Sequence, residues 1–439
     1  MTGSTTARRL LILSYFFPPH SGGGIHRVLG FTRHLPAHGW DCTVVCAGER
    51  DYWSRDASLA ALVDSRTEVV RVEGGSAPAA WLRMRRDSGA RSQETFGILR
   101  RLADWWLIPD PYVGWSSRGR AAAARRLEHG GFDAVLSTSP PDSVHLAADA
   151  LKHRFGLPWV ADFRDPWMGL HQRTPPTPWH ARRQASLERR VFERADLVVT
   201  ATRAHADLIE ARAIGRPRRV THIPNGFEPH DAAAGIDADR ERYLIVFTGT
   251  LFRMPGAEIF LEALHEMLAH DPAARRRVRV KFAGPYETGY ADRSIALGLT
   301  PGIVEFLGPV AHADTRSLQR RADLLVLWKM ERMEATVPGK LYEYFDSGRP
   351  IVALLPERDD AATLLGAAGG ERVAPGDRAG LLALLGRHYA QWKERGRAAD
   401  HRPEWLAEHT RARLAGRLAT ELDALVSNAA ATDGRGVPR

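Results

Sequence analysis

Short apolar runs alternate with helical stretches along most of the chain. Each run is apolar throughout, and the segments between the runs repeat apolar residues at helical spacing. Strands of this kind are typical of parallel sheets that helices cover on both faces. The pattern therefore predicts an α/β fold with two series of strands. The first series is 10–17, 42–48, 69–72, 134–138, 159–163 and 197–201, and the second is 243–249, 278–284, 304–308, 324–328, 351–355 and 372–373.

The alternation stops and restarts near Asn225-Gly226, and 439 residues exceed the size that one core usually supports. We therefore predict two doubly wound Rossmann-like domains, residues 1–226 and 227–400, with a cleft between them at the carboxyl ends of the strands. We predict a helix at residues 401–426, because leucines recur there at helical spacing and form an apolar face that needs a packing partner. The polar residues 427–439 predict a disordered tail.

Composition adds a compartment to this picture. Hydrophobic residues make up 44% and charged residues 26% of the chain, as in soluble globular proteins. Pro18-Pro19 follow the first apolar run, which is not typical of a signal peptide. Cys42 and Cys46 would lie roughly 13 Å apart along one strand, too far for a disulfide. The sequence therefore predicts a cytoplasmic protein.

The net charge of +9 raises the question of an anionic partner. Arginines are spread among alanine-rich helices and accompany 52 acidic residues, so we expect no nucleic-acid partner. The densest basic cluster, 83–101, lies beside Trp105-Trp106-Leu107-Ile108. Basic and apolar residues side by side are typical of peripheral membrane attachment. Contact of residues 83–108 with the inner face of a membrane is therefore one open alternative.

The segment 323–350 carries the most informative motif. A buried strand at 324–328 is followed by Pro338-Gly339 and then by a helix that contains Lys340 and Glu343. The free N–H groups and positive dipole at a helix start attract anions, and Lys340 adds a charge there. Glu343, one turn later, can accept hydrogen bonds from two vicinal hydroxyls. The pattern predicts a site for a diphosphate and a ribose; an ordinary solvated pair of Lys340 and Glu343 is the alternative.

Two other strands end in glycine-bearing loops. The first leads into Gly22-Gly23-Gly24 and a helix, and the first strand of the second series leads into Gly249-Thr250 and Arg253. Glycine lets a backbone approach a ligand closely, and guanidinium suits phosphate. We expect Arg253 to face the same crevice as Lys340. A tight turn without a ligand and an ordinary surface arginine remain the alternatives.

The strand at 159–163 ends in Asp162, Arg164 and Asp165. Carboxylates at this edge of a sheet are costly to bury unless they are paired or bind something polar. We interpret them as lining the acceptor or sugar side of the cleft, with a structural salt bridge of Arg164 as the alternative. The sequence has no His/Cys cluster with zinc spacing and no nucleophile motif, so we expect neither a metal nor a cofactor.

Together these segments resemble the GT-B glycosyltransferases, specifically the large retaining family four. The resemblance runs from about Leu10 to Leu425 and depends on SYFFPPHSGGGIHRV, IPDPYVGW, STSPP, ADFRDPW, IPNGF, FTGTLF, FLGPV and PGKLYEYFDSGRP. It implies a nucleotide-sugar held mostly by the C-terminal domain, an acceptor on the N-terminal domain, and no catalytic metal. It also implies that the last helix crosses back to the first domain.

Carried over by position, Glu343 matches the second glutamate of the family's E-x7-E motif. The first glutamate falls at Ala335, so Thr336 or Glu334 would supply that contact to the sugar. Thr250 stands where the family usually has an arginine, and Arg253 is the available substitute. The implied donor-binding residues are Gly23, Gly24, Gly249, Thr250, Val310, Pro338, Gly339, Leu341 and Glu343; the catalytic residues are Arg253, Lys340 and Asp165; and the acceptor or sugar side has Asp162, Arg164 and His145.

The resemblance implies transfer of a sugar from a nucleoside diphosphate to a hydroxyl acceptor, either a lipid-linked glycan or a small natural product, with retention of configuration. Arg253 and Lys340 would stabilise the leaving group. Two alternatives stay open. One is a nucleotide-sugar epimerase that uses Asp162 and Asp165 as acid and base. The other is a membrane-surface scaffold that has lost catalysis, since Ala335 replaces a motif glutamate.

Overall fold

A computed structural model describes residues 7–22, 24–52, 54–88, 103, 105–168, 175–211, 219–229, 241–329 and 335–433. Its chain divides into two compact units. The first unit comprises 1–225 together with 411–439, and the second comprises 226–410.

The first unit contains a seven-stranded sheet in the order β3-β2-β1-β4-β5-β6-β7. All neighbouring strands are parallel. Strands β4, β5 and β6 are buried along their whole length, because helices cover the sheet on both faces. The strands are β1 (Arg8–Leu13), β2 (Trp40–Ala47), β3 (Glu68–Val72), β4 (Ala134–Ser139), β5 (Trp159–Phe163), β6 (Leu197–Thr200) and β7 (Val220–His222).

Helices connect these strands and cover both faces of the sheet. Their ends follow local sequence signals: Thr177 caps one helix by accepting a hydrogen bond from the His180 N–H, and Gly156 ends another with φ of 72°. The described helices are α1 (Ile25–His34), α2 (Ala57–Ala60), α3 (Ala77–Ser88), α4 (Val113–Glu128), α5 (Ser143–Phe155), α6 (Pro178–Arg194) and α7 (Arg203–Ala211).

The second unit contains a six-stranded parallel sheet in the order β10-β9-β8-β11-β12-β13. Its strands are β8 (Tyr243–Thr248), β9 (Val278–Ala283), β10 (Val304–Gly308), β11 (Leu324–Trp328), β12 (Ile351–Leu354) and β13 (Glu371–Val373). Its helices are α8 (Pro255–His270), α9 (Ala274–Arg277), α10 (Thr288–Ala296), α11 (His312–Arg321), α12 (Gly339–Ser347), α13 (Asp360–Ala367) and α14 (Arg378–Arg395), followed by a 3-10 turn at Glu404–His409.

These two sheets confirm the predicted fold class of two parallel, Rossmann-like α/β units. Two details differ. Strand β1 ends at Leu13 instead of residue 17, because the chain turns away before Pro18-Pro19 and buries Tyr15 and Phe17 as side chains of the turn. Strand β7 was not predicted, because its three residues are only half-buried at the edge of the sheet.

A final helix, α15 (Arg411–Asp433), belongs to the first unit. Its Leu414, Leu418 and Leu422 are buried in the same core as Leu10 and Ile12 of β1. The helix starts later than the predicted residue 401, because the chain is extended at Pro403 and then forms the 3-10 turn. It also includes residues 427–433, which we predicted to be disordered; alanines 429–431 are strong helix formers and continue it.

Candidate active site

The second sheet has its switch point between β8 and β11, where the order of the strands reverses. Ligands of open α/β sheets bind beyond the carboxyl ends of the strands at such a point. The loop 249–254 leaves β8 there, and α12 begins beside it with Pro338 as its N-terminal flanking residue. No side chain caps this helix start. Its first N–H groups are therefore available to an anion.

Lys340 lies at this helix start and reaches back to the end of β8. Its Nζ donates a hydrogen bond to the Thr248 carbonyl at 2.9 Å and sits 3.9 Å from the centre of the Phe247 ring. Burial lowers the pKa of Lys340 to about 7, and the nearby Glu343 carboxylate opposes that shift. No carboxylate forms an ion pair with Lys340 in the part of the chain that the structure describes. The ammonium is therefore held at the sheet edge by a carbonyl and an aromatic face.

Gly249 explains how Lys340 comes so close to the strand. A Cβ atom on Gly249 would lie 2.8 Å from Lys340 Nζ, and the residue has φ of 122°, which favours glycine. Gly284, with φ of 139°, packs on the same backbone, because a Cβ there would overlap the Gly249 carbonyl oxygen. The two glycines bring the loops after β8 and β9 together beneath the ammonium group.

Arg253 lies in the loop between β8 and α8, and its side chain is exposed. It is the one described residue other than glycine with positive φ, at 48°. Its backbone N–H donates to Glu287 Oε2 at 3.1 Å, and the next N–H, of Met254, donates to the Tyr290 hydroxyl at 2.7 Å. Such a backbone costs of order 1 kcal/mol and persists when its surroundings fix it. Thr250, in the same loop, is exposed.

Glu343 is buried one turn along α12, only 7% exposed. Its Oε2 accepts a hydrogen bond from Gln319 Nε2 at 3.3 Å, and its Oε1 lies 3.9 Å from His312 Nε2 and 4.0 Å from Arg316 Nη1. The Arg316 contact is long, and Arg316 pairs more closely with Asp346, at 2.6 Å. The carboxylate is thus oriented by α11 without a short bond from these side chains.

The remaining predicted donor residues are distributed along the same edge of the second unit. Pro338 and Gly339 form the start of α12, and Leu341 is fully buried in the core beneath it. Val310 is half-buried in the loop after β10. Ala335 and Thr336 are described, and the Thr336 carbonyl accepts a hydrogen bond from Lys329 at 2.7 Å. Glu334 lies outside the described residues.

The first unit has its own switch point between β1 and β4. The glycine-bearing loop after β1 leads into α1 with Gly24 as the flanking residue, while Gly23 lies outside the described residues. The Arg164 guanidinium presses on this loop, because a Cβ atom on Gly24 would overlap its Nη1. Asp165 pairs with Arg164 at 3.0 Å. The structure therefore brings Gly24, Arg164 and Asp165 together.

Asp162 does not join that group, because its carboxylate is fully buried. It accepts hydrogen bonds from Arg27 Nη2 at 2.6 Å and Arg27 Nε at 2.9 Å, and from the Thr138 hydroxyl at 2.8 Å. Arg27 Nη1 also donates to the carbonyls of Ile223 and Pro224, at 2.7 and 2.9 Å. This network ties α1, β4, β5 and the segment after β7 together.

His145 is also fully buried, on α5. Its Nδ1 lies 2.8 Å from the Ser137 hydroxyl, and its ring stacks on Phe163 with centroids 4.2 Å apart. Burial lowers the pKa of His145 to about 3, against the effect of the nearby Asp162, so the ring is neutral. His145 therefore supports the ends of β4 and β5 from inside the unit.

Sequence reasoning missed several residues of these sites. Gln319 joins the two elements of the second site, with its Nε2 3.0 Å from Thr248 Oγ1, and the Tyr344 hydroxyl accepts a hydrogen bond from the Thr248 N–H at 2.9 Å. Arg27 was also missed. One signal was present: Arg27 lies on a helix face whose neighbours Val28 and Phe31 are apolar. No local pattern marks Gln319.

Two further predictions concern metals and membranes. The described residues contain no group of three or more His, Cys, Asp or Glu side chains placed to hold a metal ion. Within the same residues, no helix is both long and apolar enough to cross a membrane. The membrane contact predicted for 83–108 falls mainly outside the described side chains; Trp106, which is described, is 83% exposed.

Comparison with protein families gives two matches. The model described as "Glycosyl transferase 4-like domain" matches residues 22–226, and the model described as "Glycosyl transferases group 1" matches residues 242–390. The first match contains Gly24, Arg164 and Asp165, and the second contains Gly249, Arg253, Lys340 and Glu343.

Curated relatives include D-inositol 3-phosphate glycosyltransferases. The protein from Geodermatophilus obscurus is 29% identical over 256 residues, which are 55% of this chain and 53% of that protein. The protein from Corynebacterium kroppenstedtii is 27% identical over 183 residues, 38% of this chain and 40% of that protein. The matched region thus spans about half the length of these relatives or less.

Several solved structures share the fold over almost the whole chain. Sucrose-phosphate synthase from Thermosynechococcus elongatus has a TM-score of 0.61 at 14% identity, covering 97% of this chain and 100% of that one. WaaG, a glycosyltransferase involved in lipopolysaccharide biosynthesis, has a TM-score of 0.62 at 16% identity, covering 94% of this chain and 99% of that one. Anabaena HepE in complex with UDP and glucose has a TM-score of 0.58 at 16% identity, covering 97% of this chain and 99% of that one.

Proposed function

Because the chain belongs to the family-four type of GT-B glycosyltransferases, we propose that it moves a sugar from a nucleoside-diphosphate donor to an acceptor hydroxyl with retention of the anomeric configuration. The observation that carries the proposal is the position of Lys340, whose Nζ lies against Gly249 at the carboxyl end of β8, with Glu343 one turn further along α12. HepE, which shares the fold, has a crystal structure in complex with UDP and glucose.

In this proposal the diphosphate binds over Gly249, at the start of α12. The N–H groups of that helix start and the Lys340 ammonium then face the phosphate oxygens, and Arg253 adds a second, exposed cation from the neighbouring loop. These donors are fixed before the reaction. They stabilise the negative charge that grows as the bond from the anomeric carbon to the phosphate breaks.

Glu343 accepts hydrogen bonds from the ribose hydroxyls in this arrangement. Gln319, His312 and Arg316 of α11 lie 3.3, 3.9 and 4.0 Å from its carboxylate oxygens, and the ribose hydroxyls would add hydrogen bonds to that carboxylate. Ala335 has no polar side chain, so the donor sugar would be bound by other groups of the loop, among them Thr336. We infer that the sugar specificity of this chain differs from that of relatives with a glutamate there.

Retention requires that the acceptor oxygen attack the face of the sugar from which the phosphate departs. The bond between the anomeric carbon and the phosphate oxygen breaks, the bond to the acceptor oxygen forms, and a leaving phosphate oxygen takes the acceptor's proton. This scheme requires neither a protein nucleophile nor a metal.

In the first unit, Arg164 and Asp165 beside Gly24 would orient the acceptor or the sugar. Epimerase chemistry is less well supported, because Asp162 is already bound to Arg27.

The acceptor is proposed to be a polyol or glycan intermediate of glycoconjugate or natural-product biosynthesis. The curated relatives are called D-inositol 3-phosphate glycosyltransferases, and WaaG is described as a glycosyltransferase involved in lipopolysaccharide biosynthesis. Candidate acceptor loops are 74–115 and 166–185, which the structure describes only in part. Transfer assays with radiolabelled donors should therefore test D-inositol 3-phosphate beside lipid-linked glycans and small natural products.

Nucleotide binding gives the first test of the proposal. Calorimetric titration and thermal unfolding with UDP, GDP, ADP and dTDP, each with and without Mg²⁺, should identify one nucleotide that binds without the metal and stabilises the protein. Lys340→Ala should weaken that binding, whereas Lys393→Ala removes an equal charge from an exposed position and should not. If none of the four nucleotides binds, or if both variants weaken binding equally, the proposed donor site is wrong.

The configuration of the product tests the chemistry separately. Proton NMR of the product formed from an α-linked donor should show an α-linked sugar. A β-linked product would contradict retention while leaving the nucleotide site intact.

A further inference from the structure

A cavity of about 310 Å³ lies at the opposite end of the second sheet from Lys340. Residues 348–350, which directly precede β12, and residues 369–370, which directly precede β13, form part of its wall. These residues lie at the amino ends of the strands, whereas the proposed donor site lies beyond the carboxyl ends. The cavity is therefore separate from that site, and its volume is at the lower end of the range for small-molecule pockets.

The segment 396–403, which we call the strap, closes one side of this cavity. The His401 N–H donates to the Gly348 carbonyl at 3.0 Å, and Arg349 Nη1 donates to the Ala398 carbonyl at 3.0 Å. Ala398 and Ala399 are exposed residues of the strap that line the cavity. Arg397 and Arg402 attach the two ends of the strap, because they donate hydrogen bonds to the carbonyls of Arg320, Arg321 and Asp346. Arg349 holds the middle of the strap.

Arg349 is the charged group of the cavity. Its side chain is completely buried, and it pairs with Asp400 of the strap, whose side chain is 45% exposed. Arg349 Nε has no hydrogen-bond partner among the described residues, although a buried guanidinium normally uses its donors. Burial is the main cause that lowers the pKa of Arg349 to about 10; the neighbouring Arg397, Arg402 and Arg320 also lower it, and Asp323 opposes them.

The rest of the wall is largely apolar and small. Phe345, Pro350 and Ile351 form one side, and Ala368 and Gly369 leave room opposite. His388 and His401 add polar groups at the rim, and the His388 ring is already bound to Glu371 at 2.7 Å. A ligand that fits this lining carries a negative charge at one end and a compact body at the other.

We propose that this cavity binds a small organic anion, whose charged group takes the place of the Asp400 carboxylate on Arg349. Asp400 serves as an internal substitute for the ligand, because it lies on the exposed strap and satisfies only part of the guanidinium. Guanidinium forms paired hydrogen bonds with both carboxylate and phosphate, so the shared chemistry is a planar or tetrahedral oxyanion.

Binding of this anion would release Asp400 and change how the strap is attached. The strap leads directly, through the 3-10 turn, to α15 of the first unit along the chain. A small anionic metabolite would therefore act on the segment that joins the second unit to α15, away from the donor site.

Calorimetric titrations with phenyl phosphate and with benzoate test the proposal, and phenol serves as the uncharged control. All titrations use the Lys340→Ala chain, which lacks the cation of the donor site, so the result does not depend on the proposed transferase activity. We expect one site for at least one of the two anions, with a dissociation constant of about 1 mM or lower, and no binding of phenol.

Three variants in that background locate the site. Ala399→Glu adds a carboxylate at the exposed rim and should weaken binding at least about tenfold by repulsion. Ala296→Glu makes the same change at an exposed position of α10 outside the cavity and should leave binding unchanged. Asp400→Asn removes the internal competitor and should tighten binding several-fold. The proposal is overturned if neither anion binds, if Ala296→Glu weakens binding as much as Ala399→Glu, or if Asp400→Asn does not tighten it.

Discussion

In each unit a cation presses on a glycine near the carboxyl end of its sheet, but the two cations have different partners. In the first unit Arg164 lies against Gly24 and pairs with Asp165, and the neighbouring Arg27 pairs with Asp162. In the second unit Lys340 lies against Gly249 and contacts a carbonyl and the Phe247 ring. These two arginines of the first unit are therefore paired with carboxylates, whereas Lys340 forms no ion pair with any residue that the structure describes. An ammonium held in this way is suited to an anionic ligand.

Removing a carboxylate from the first unit should have the largest effect. Asp162→Ala leaves the buried Arg27 guanidinium without its partner, so we expect the free energy of unfolding to fall by about 3–5 kcal/mol. Asp165→Ala removes a carboxylate that is 29% exposed, and we expect a loss below about 1 kcal/mol. Urea denaturation of both variants measures the difference. Equal losses would show that the two ion pairs do not differ as described.

Removing the ammonium from the second unit should affect activity and not stability. Lys340→Ala should lower kcat/KM by about 10² to 10³, as expected for the loss of one group that stabilises a leaving group. The melting temperature should not fall, because the variant also removes a charge that is costly to bury. Steady-state kinetics and thermal unfolding, with Lys393→Ala as the control, check both parts. A large loss of stability would assign Lys340 a structural role like that of Arg27.

The next contrast concerns Glu343, a buried carboxylate that Arg316 contacts only at 4.0 Å. Glu343→Gln should weaken the binding of the preferred nucleoside diphosphate about 10- to 100-fold, since bonds to a charged acceptor contribute roughly 1.5–3 kcal/mol. The same nucleotide without its 2′- and 3′-hydroxyls should bind both proteins with similar affinity. Calorimetry of the two proteins with each of the two nucleotides gives the coupling free energy between Glu343 and the ribose hydroxyls. Equal weakening of both nucleotides would mean that Glu343 does not bind the ribose.

The smallest expected effect is a pH dependence. The pKa of Lys340 is about 7 before ligand binds, and a bound diphosphate favours the protonated form. Nucleotide affinity should therefore be highest below pH 7 and fall as the pH rises through that value, by at most about tenfold per pH unit. Lys340→Met should abolish this part of the pH dependence. An unchanged profile in the variant would assign the titration to another group.

The fold and the chemistry of the sites differ in how far the sequence reveals them. Strands β5 and β11 begin and end where their apolar runs do, because burial on both faces leaves a local signal. The start of α12 was predictable from a different local signal, the helix-start sequence Pro338-Gly339. The partners of these residues were not predictable. Arg27 and Asp162 are 135 positions apart, and no local pattern connects them.

The placement of Lys340 also shows that long-range contacts cannot be predicted from local sequence patterns. Its position at a helix start was evident from the sequence, but its contact with Gly249 depends on the parallel pairing of β8 with β11. The sequence placed Asp162 on the acceptor or sugar side, and only the long-range fold shows that Arg27 binds its carboxylate. Helix α15 also extends beyond its predicted end, because alanine favours helix wherever no glycine or proline intervenes.

Helix α15 has a consequence for how the protein is made. Leu414, Leu418 and Leu422 fill the core beneath β1, yet the ribosome synthesises them after all of residues 226–410. During translation part of the apolar core of the first unit therefore stays uncovered while the second unit can already fold. The nascent chain is therefore expected to expose a chaperone-binding surface on the earlier-made unit until the α15 leucines leave the ribosome.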